Sequence, residues 1–248
     1  LPLATDLMKD HTVIVPDLRG MGLSAHPEGG YDKKTQGEDI AAVMDVLKVQ
    51  KAQLVTHDIG NMVGYALAGA LNGAVLFTYI SGAPDLVMGT YGHTPLVFNL
   101  IFAFNAVGII GASQVNRLLL RRNLPDEVLS KASIASIVAA FLLTLAAWTG
   151  WGGQWTVLPL LFASLSLYGL MGGNTMAGAL SVDPRRAGSI SALMGSASFG
   201  AGALASWAGG LLHDGTARPV AGVMFACLVG SALAIFFLAL PGARKAQA

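Results

Sequence analysis

The sequence predicts a mainly α-helical, polytopic membrane protein with six transmembrane helices, preceded by a truncated α/β segment. Three observations lead there. From Ala132 to Val182 the chain carries no Asp, Glu, Lys, Arg or His. Hydrophobic residues make up 54% of the 248 and charged residues 12%, about half the charged share of a soluble domain, and mean hydropathy is +0.60. Finally, Lys and Arg gather in alternate links between apolar blocks. A helix needs a polar face to sit in water and roughly 20 apolar residues to cross a hydrocarbon layer. The charge-free stretch holds two such helices, turning at Gly150–Gln154.

Residues 1–68 have a different character. Residues 1–70 hold six Lys/Arg against nine Asp/Glu, and residues 71–248 hold nine against five, so net charge changes from −3 to +4 along the chain. Thr12–Pro16 is a β-branched run suited to a buried strand, followed by the glycine-containing loop Asp17–Ser24. Lys34 to Val49 has helical spacing, with Ile40, Val43, Met44 and Leu47 on one face. Ala52–Thr56 reads as a second strand. Thr56-His-Asp-Ile-Gly60 then has the small flanking residues of a strand-to-helix elbow, which exposes the middle side chain. Asp58 in that place is a candidate carboxylate nucleophile, or a relic without catalysis; His57 and His26 read as loop residues.

Apolar blocks follow at about 62–84, 95–116, 132–149, 156–180, 187–212 and 220–240. The first contains Gly64, Gly69, Asn72 and Gly73, small residues that permit close helix packing. The links after the second and fourth blocks and the tail carry Arg117, Arg121, Arg122, Lys131, Arg185, Arg186, Arg244 and Lys245. The alternate links carry Arg218 alone. The positive-inside rule then puts both termini in the cytoplasm. Residues 244–248 form a cytoplasmic tail. In the fifth block Gly188, Gly195, Gly202 and Gly209 recur at heptad spacing, which suits either tight packing or a helix that slides against its neighbours.

Net charge of +1 gives no electrostatic case for nucleic acid. The single cysteine, Cys227, excludes an internal disulfide and a cysteine-based zinc site; no metal and no cofactor are expected. The chain begins Leu1-Pro-Leu without a Met or a signal peptide, so its first residue need not be a natural start.

Two resemblances follow from quoted residues. Pro16-Asp-Leu-Arg-Gly-Met-Gly-Leu-Ser24 with Val55-Thr-His-Asp-Ile-Gly60 resembles the epoxide hydrolase and haloalkane dehalogenase-like branch of the α/β-hydrolases. That resemblance covers residues 1–68 and implies an Asp nucleophile, an upstream oxyanion loop, and a downstream acid and general-base His. The loop is absent, and neither His93 nor His213 has a matching context. Phe77-Thr-Tyr-Ile-Ser-Gly-Ala-Pro84, Phe104-Asn-Ala-Val-Gly108, Gly111-Ala-Ser-Gln-Val-Asn-Arg117, Gly173-Asn-Thr-Met-Ala-Gly-Ala-Leu180 and Pro184–Gly195 resemble, in order, the second half of the Bcr/CflA drug-resistance transporters of the major facilitator superfamily. This resemblance covers about residues 70–243, taken here as a half-transporter domain of residues 69–243. It implies half of a major facilitator fold, a bacterial-type inner membrane, and proton-coupled efflux of small drug-like molecules.

Four residues are candidates for the substrate or proton pathway. Asp85 is either a charge at a span end or a titrating group lining a path. Gln114 and Asn116 are helix-end polar groups or face a cavity. Asn174 lies within an apolar span, so it bonds a neighbouring helix or contacts substrate. The implied partners are the lipid bilayer, a drug-like substrate with a proton, and a second half-transporter or a homodimer. The leading expectation is a non-enzymatic transporter, incomplete or hybrid. The alternatives are a non-functional fusion product and a membrane-tethered Asp-nucleophile hydrolase.

Overall fold

The structure is a computed structural model that describes residues 5, 7–52, 59–182 and 186–240. The chain divides into two units, Leu1–Val55 and Thr56–Ala248.

The helix of the first unit that lies wholly among the described residues is α1 (Lys33–Val46). Asp32 caps it: its carboxylate accepts from the Thr35 N–H at 3.0 Å and the Thr35 hydroxyl at 2.6 Å, satisfying donors that a helix start leaves open. Ile40, Val43 and Met44 are half-buried, as the helical spacing predicts. Leu47 is not on that face; it is the cap residue, exposed, and the chain leaves the helix through Lys48 at φ 56°. Thr12–Val15 forms no ladder, and no described residue lies in a β-strand. A β-branched run becomes a strand only when a neighbour takes its N–H and C=O groups. The second expected strand lies, beyond Ala52, outside the described residues. No described residue of this unit is fully buried.

The second unit is a helical bundle: α2 (Ile59–Pro84), α3 (Pro95–Leu119), α4 (Pro125–Thr149), α5 (Gln154–Val182), α6 (Ala187–Leu211) and α7 (Arg218–Leu233). α2 and α7 each run on into a π-helical turn, Asp85–Thr90 and Ala234–Ala239. Pro84 lacks the N–H that would bond back to Ile80, and the wider turn starts right after it. α2 runs unbroken through positions 68 and 69, the boundary expected between the two parts. The link sequences suit the helix ends. Pro95, Pro125 and Pro219 stand in first turns, where a missing N–H costs nothing. Asp126 and Glu127 open α4 and Arg117 closes α3, each matching the end of the helix dipole it stands on.

Among the described residues five helices are long and apolar enough to cross a membrane: Met62–Thr90, Pro95–Leu119, Pro125–Thr149, Gln154–Val182 and Arg218–Ala239. The fifth expected span is helical too, but the Gly and Ser residues of α6 hold it below that apolar level.

α2 is the hub. Its small residues bring three neighbours close. A Cβ on Gly64 would meet the Ala239 backbone at 2.5 Å, and the Ser231 hydroxyl donates to the Ala68 carbonyl at 3.0 Å. On another side the Ser198 hydroxyl donates to Gly69 O at 3.3 Å and the Ser206 hydroxyl to Phe77 O at 3.2 Å. Both bonds join residues 129 apart, so α2 and α6 run parallel, side by side, for at least two turns. On a third side Gly178 of α5 lies over the Tyr65 ring, and Thr175 faces Gly69, an antiparallel register. The core between these helices is Val75, Leu129, Leu143, Leu161, Leu165, Met224 and Ile235.

Candidate functional site

Every polar side chain buried in the bundle is uncharged: Asn72, Thr78, Asn105, Asn116, Ser133, Ser136, Ser164, Asn174, Thr175 and Ser231, among the described residues. An uncompensated charge in hydrocarbon is far more costly than a neutral amide or hydroxyl. The hydroxyls mostly bond the carbonyl four residues back on their own helix, as Ser133 does to Leu129 and Thr175 to Met171. Three of the four amides, Asn105, Asn116 and Asn174, reach between helices.

Two expected site residues are brought together. Asn174 Nδ2 donates to Asn116 Oδ1 at 2.9 Å, and Asn116 Nδ2 to Asn174 Oδ1 at 3.4 Å. The Asn174 amide also donates to Leu170 O at 2.8 Å. The pair bridges residues 58 apart on α3 and α5. Nearby the Ser113 hydroxyl donates to Gly169 O at 3.2 Å, and Phe104 stacks on Phe162 with centroids 4.7 Å apart. α3 and α5 therefore run parallel and touch from Phe104 and Phe162 to Asn116 and Asn174. A side chain at Gly169 would collide with the Ile109 carbonyl, which is why glycine stands there.

The other two are not part of this cluster. Gln114 is exposed on an α3 face with exposed Leu96, Leu100, Val107, Ile110 and Leu118, and Asn99 and Arg117 are exposed at the edge of that face. Asp85 is exposed at the first position of the π-helical turn. Asp58 lies outside the described residues. Only Gly202 of the heptad glycines is buried against a neighbour, the Phe77 ring; a Cβ on Gly188, Gly195 or Gly209 would meet nothing.

Two contacts and one unpaired amide lie on one stripe of α2, and the partners in those contacts are not encoded by any local sequence pattern. Tyr65 donates to Asp126 Oδ1 at 2.7 Å, joining α2 to the start of α4. Tyr79 accepts from Asn105 Nδ2 at 2.8 Å and stacks on Phe102, joining α2 to α3. Midway between them Asn72 is 1% exposed with neither amide atom hydrogen-bonded. Positions 65, 72 and 79 repeat at the heptad interval, a signal legible in an otherwise apolar helix.

In the first unit, the Asp17–Ser24 motif forms an ordered loop. Asp17 Oδ2 accepts from the Leu23 N–H at 3.1 Å, and Gly20 and Gly22 take the positive φ their turns need. Arg19 grips Asp39 of α1 through two 2.6 Å bonds. That hydrogen-bonded guanidinium holds the Asp39 carboxyl below the usual carboxylate range. No group of three or more metal-ligating side chains occurs among the described residues.

The long apolar helices define the class, a multi-pass helical membrane protein. Comparison with known proteins narrows it. An uncharacterized MFS-type transporter of Bacillus subtilis (strain 168), YdgK, is 31% identical over 180 residues, 72% of this chain and 44% of its own. A bicyclomycin resistance protein homolog of Haemophilus influenzae (strain ATCC 51907 / DSM 11121 / KW20 / Rd) is 28% identical over 177 residues, 71% of this chain and 44% of its own. A soluble epoxide hydrolase of Corynebacterium sp. (strain C12) is 39% identical over 62 residues, 25% of this chain and 22% of its own. The chain is thus homologous to MFS-type transporters over most of its length and to α/β-hydrolases over about a quarter of it. It spans 44% of the length of the two transporter relatives. No family model and no solved structure matches it.

Proposed function

We propose that this chain is a half-transporter that moves small amphipathic drug-like molecules out of the cell in exchange for protons, and that it is not an enzyme. Residues 69–243 form half of a major facilitator fold with six crossings, in a bacterial-type inner membrane with both termini in the cytoplasm. The carrying observation is identity of 31% and 28% to two transporter relatives over about 180 residues, joined to a bundle of long apolar helices. Six crossings are supported by α6 itself. It lies beside α2 in parallel through the Ser198 and Ser206 bonds, at the depth of a helix that crosses. The other registers alternate as six crossings require: α2 opposes α3, α5 and α7, while α3 and α5 run together.

Transport needs a second half or a second copy. The apolar α3 face, with Gln114 on it, is one surface that such a partner would cover; Gln114, Asn116 and Asn174 then stand near the joint, and Asp85 is the candidate proton carrier. A second reading is supported by the first unit. Its homology to an epoxide hydrolase covers 22% of that enzyme, and it has no fully buried described residue. Such a segment fits a fusion product that inserts without transporting. A tethered hydrolase acting through Asp58 is the third.

The test is drug tolerance in an efflux-deficient bacterium expressing the chain, with membrane insertion confirmed and Asp85→Asn alongside. Raised tolerance that is lost in the variant supports the transporter with Asp85 in the pathway. Unchanged susceptibility despite insertion rejects transport by this chain and leaves the fusion product.

A further inference from the structure

The four tryptophans of the chain all stand at one end of the bundle. Trp148 is in the last turn of α4, Trp151 in the link to α5, Trp155 in the first turn of α5, and Trp207 near the end of α6. Their exposures are 54%, 66%, 82% and 65%, high for the residue with the largest apolar surface. No described residue accepts a hydrogen bond from any of the four indole N–H groups. Trp148 also rests on Gly222 in the first turns of α7, where an added Cβ would meet its ring at 3.3 Å. The ends of α4 and α6 and the starts of α5 and α7 therefore share this side. The described Arg and Lys of the bundle, Arg218 apart, stand at the other side: Arg117, Arg121, Arg122, Lys131 and Arg186. Helix rise measures the interval. From Asp126 to Trp148 it is roughly 33 Å, and from Arg186 to Trp207 roughly 32 Å, at 1.5 Å per residue. Both match the roughly 30 Å hydrocarbon layer.

We infer that Trp148, Trp151, Trp155 and Trp207 bind the headgroup–glycerol layer of one phospholipid leaflet, the leaflet opposite the Arg and Lys links. An indole is a flat apolar ring with a single N–H donor. It fits a layer that is apolar on one side and rich in ester carbonyls on the other. Trp148 and Trp207 mark the hydrocarbon edge, with Trp151 and Trp155 further out. The belt fixes the depth of α6, the least apolar of the long helices, and puts Asp85 among headgroups at the same side. This inference rests on the membrane reading above.

Because every tryptophan belongs to the belt, native fluorescence reports on it directly. The chain is reconstituted into phosphatidylcholine vesicles carrying bromine either high on the acyl chains or near their ends. The belt predicts quenching about twofold stronger from the shallow bromines, the depth at which interfacial tryptophans sit. Trp207→Phe lowers the signal without changing that ratio. In vesicles of one orientation, an impermeant aqueous quencher on one side reaches all four tryptophans or none. Stronger quenching from deep bromines, or tryptophans reached from both sides, overturns the belt. Carbonate extraction separates the failures: release of the chain from vesicles defeats the membrane reading itself, whereas retained chain with deep quenching defeats the belt alone.

Discussion

A buried amide without a partner is the costliest neutral group in this bundle. Asn72 has both amide atoms unbonded at 1% exposure, whereas Asn174 makes three hydrogen bonds and Asn105 one to Tyr79. Removing an unpaired buried polar group relieves its desolvation, and removing a paired one strands its partner. Asn72→Ala is therefore expected to leave thermal stability in detergent unchanged or raised. Asn174→Ala is expected to lower it by about 1–2 kcal/mol, in the range of interhelical hydrogen bonds in membranes. A loss in Asn72→Ala as large as in Asn174→Ala would show that Asn72 has a partner after all. The sequence flagged Asn116 and Asn174 separately, because each is polar in an apolar run. It could not pair them: residues 58 apart meet only through the parallel packing of α3 and α5, which no local pattern encodes. The heptad interval of Tyr65, Asn72 and Tyr79 is legible in the sequence, but the partners Asp126 and Asn105 are not, because they lie 61 and 26 residues away.

Outside the membrane the residue scale gives a pH dependence. Arg19 holds the Asp39 carboxyl below its ordinary value. A lowered folded pKa means stabilisation that is complete above the unfolded value, about 3.9, and is lost as pH falls through the lowered one. The protection factors of amides in peptides covering residues 16–31 should stay high at neutral pH and fall only below the ordinary carboxylate range. Asp39→Asn should show low protection already at neutral pH; equal protection in both proteins would remove the pair from the loop's support.

Helices were the legible part at the element scale. Apolar blocks of span length, bounded by Pro, Gly and charge, fix where a helix starts and stops. The structure lengthens them by a turn or two, as in α4, which begins at Pro125 because Pro, Asp and Glu all favour a first turn. Thr12–Pro16 forms no strand, because pairing, not β-propensity, makes one. Glycine spacing misled in the same way. A heptad of glycines in α6 pointed to one packing face, yet only Gly202 packs tightly, and the contacts run through Met194, Ser198, Gly202 and Ser206 onto α2. The neighbour decides which glycine matters. Gly169→Ala should force α3 off α5, because a backbone carbonyl occupies the space, at a cost of about 1–3 kcal/mol for overpacking. Gly195→Ala meets nothing and should be neutral or slightly stabilising. Equal unfolding temperatures for the two variants would contradict the close α3–α5 crossing.

At the scale of the whole molecule, two kinds of sequence meet within one continuous helix. α2 starts at Ile59, in the last two residues of the hydrolase-like motif, and ends at Pro84, the last residue of the first transporter-like one, so the join falls inside an element. Homology on the two sides reaches 180 residues of one relative and 62 of another. A helix tolerates such a join here because no Pro interrupts α2 before Pro84 and packing in the bundle outweighs the low propensity of its glycines. The bundle around α2 supplies the rest through Gly64, Gly69 and Gly73. What determines behaviour in the membrane is therefore the number of crossings, and that number turns on α6, which is a helix of the right length but diluted by Gly and Ser.

Labelling from one side counts the crossings directly. Arg122, Trp151 and His213 are replaced singly by cysteine in a Cys227→Ser chain, and an impermeant thiol reagent is applied to intact cells and to opened ones. Six crossings predict that Trp151→Cys and His213→Cys react from outside, while Arg122→Cys reacts only after opening. Reaction of His213→Cys only after opening, with Trp151→Cys still reached from outside, would mean that α6 does not cross, and the half-transporter architecture would be wrong.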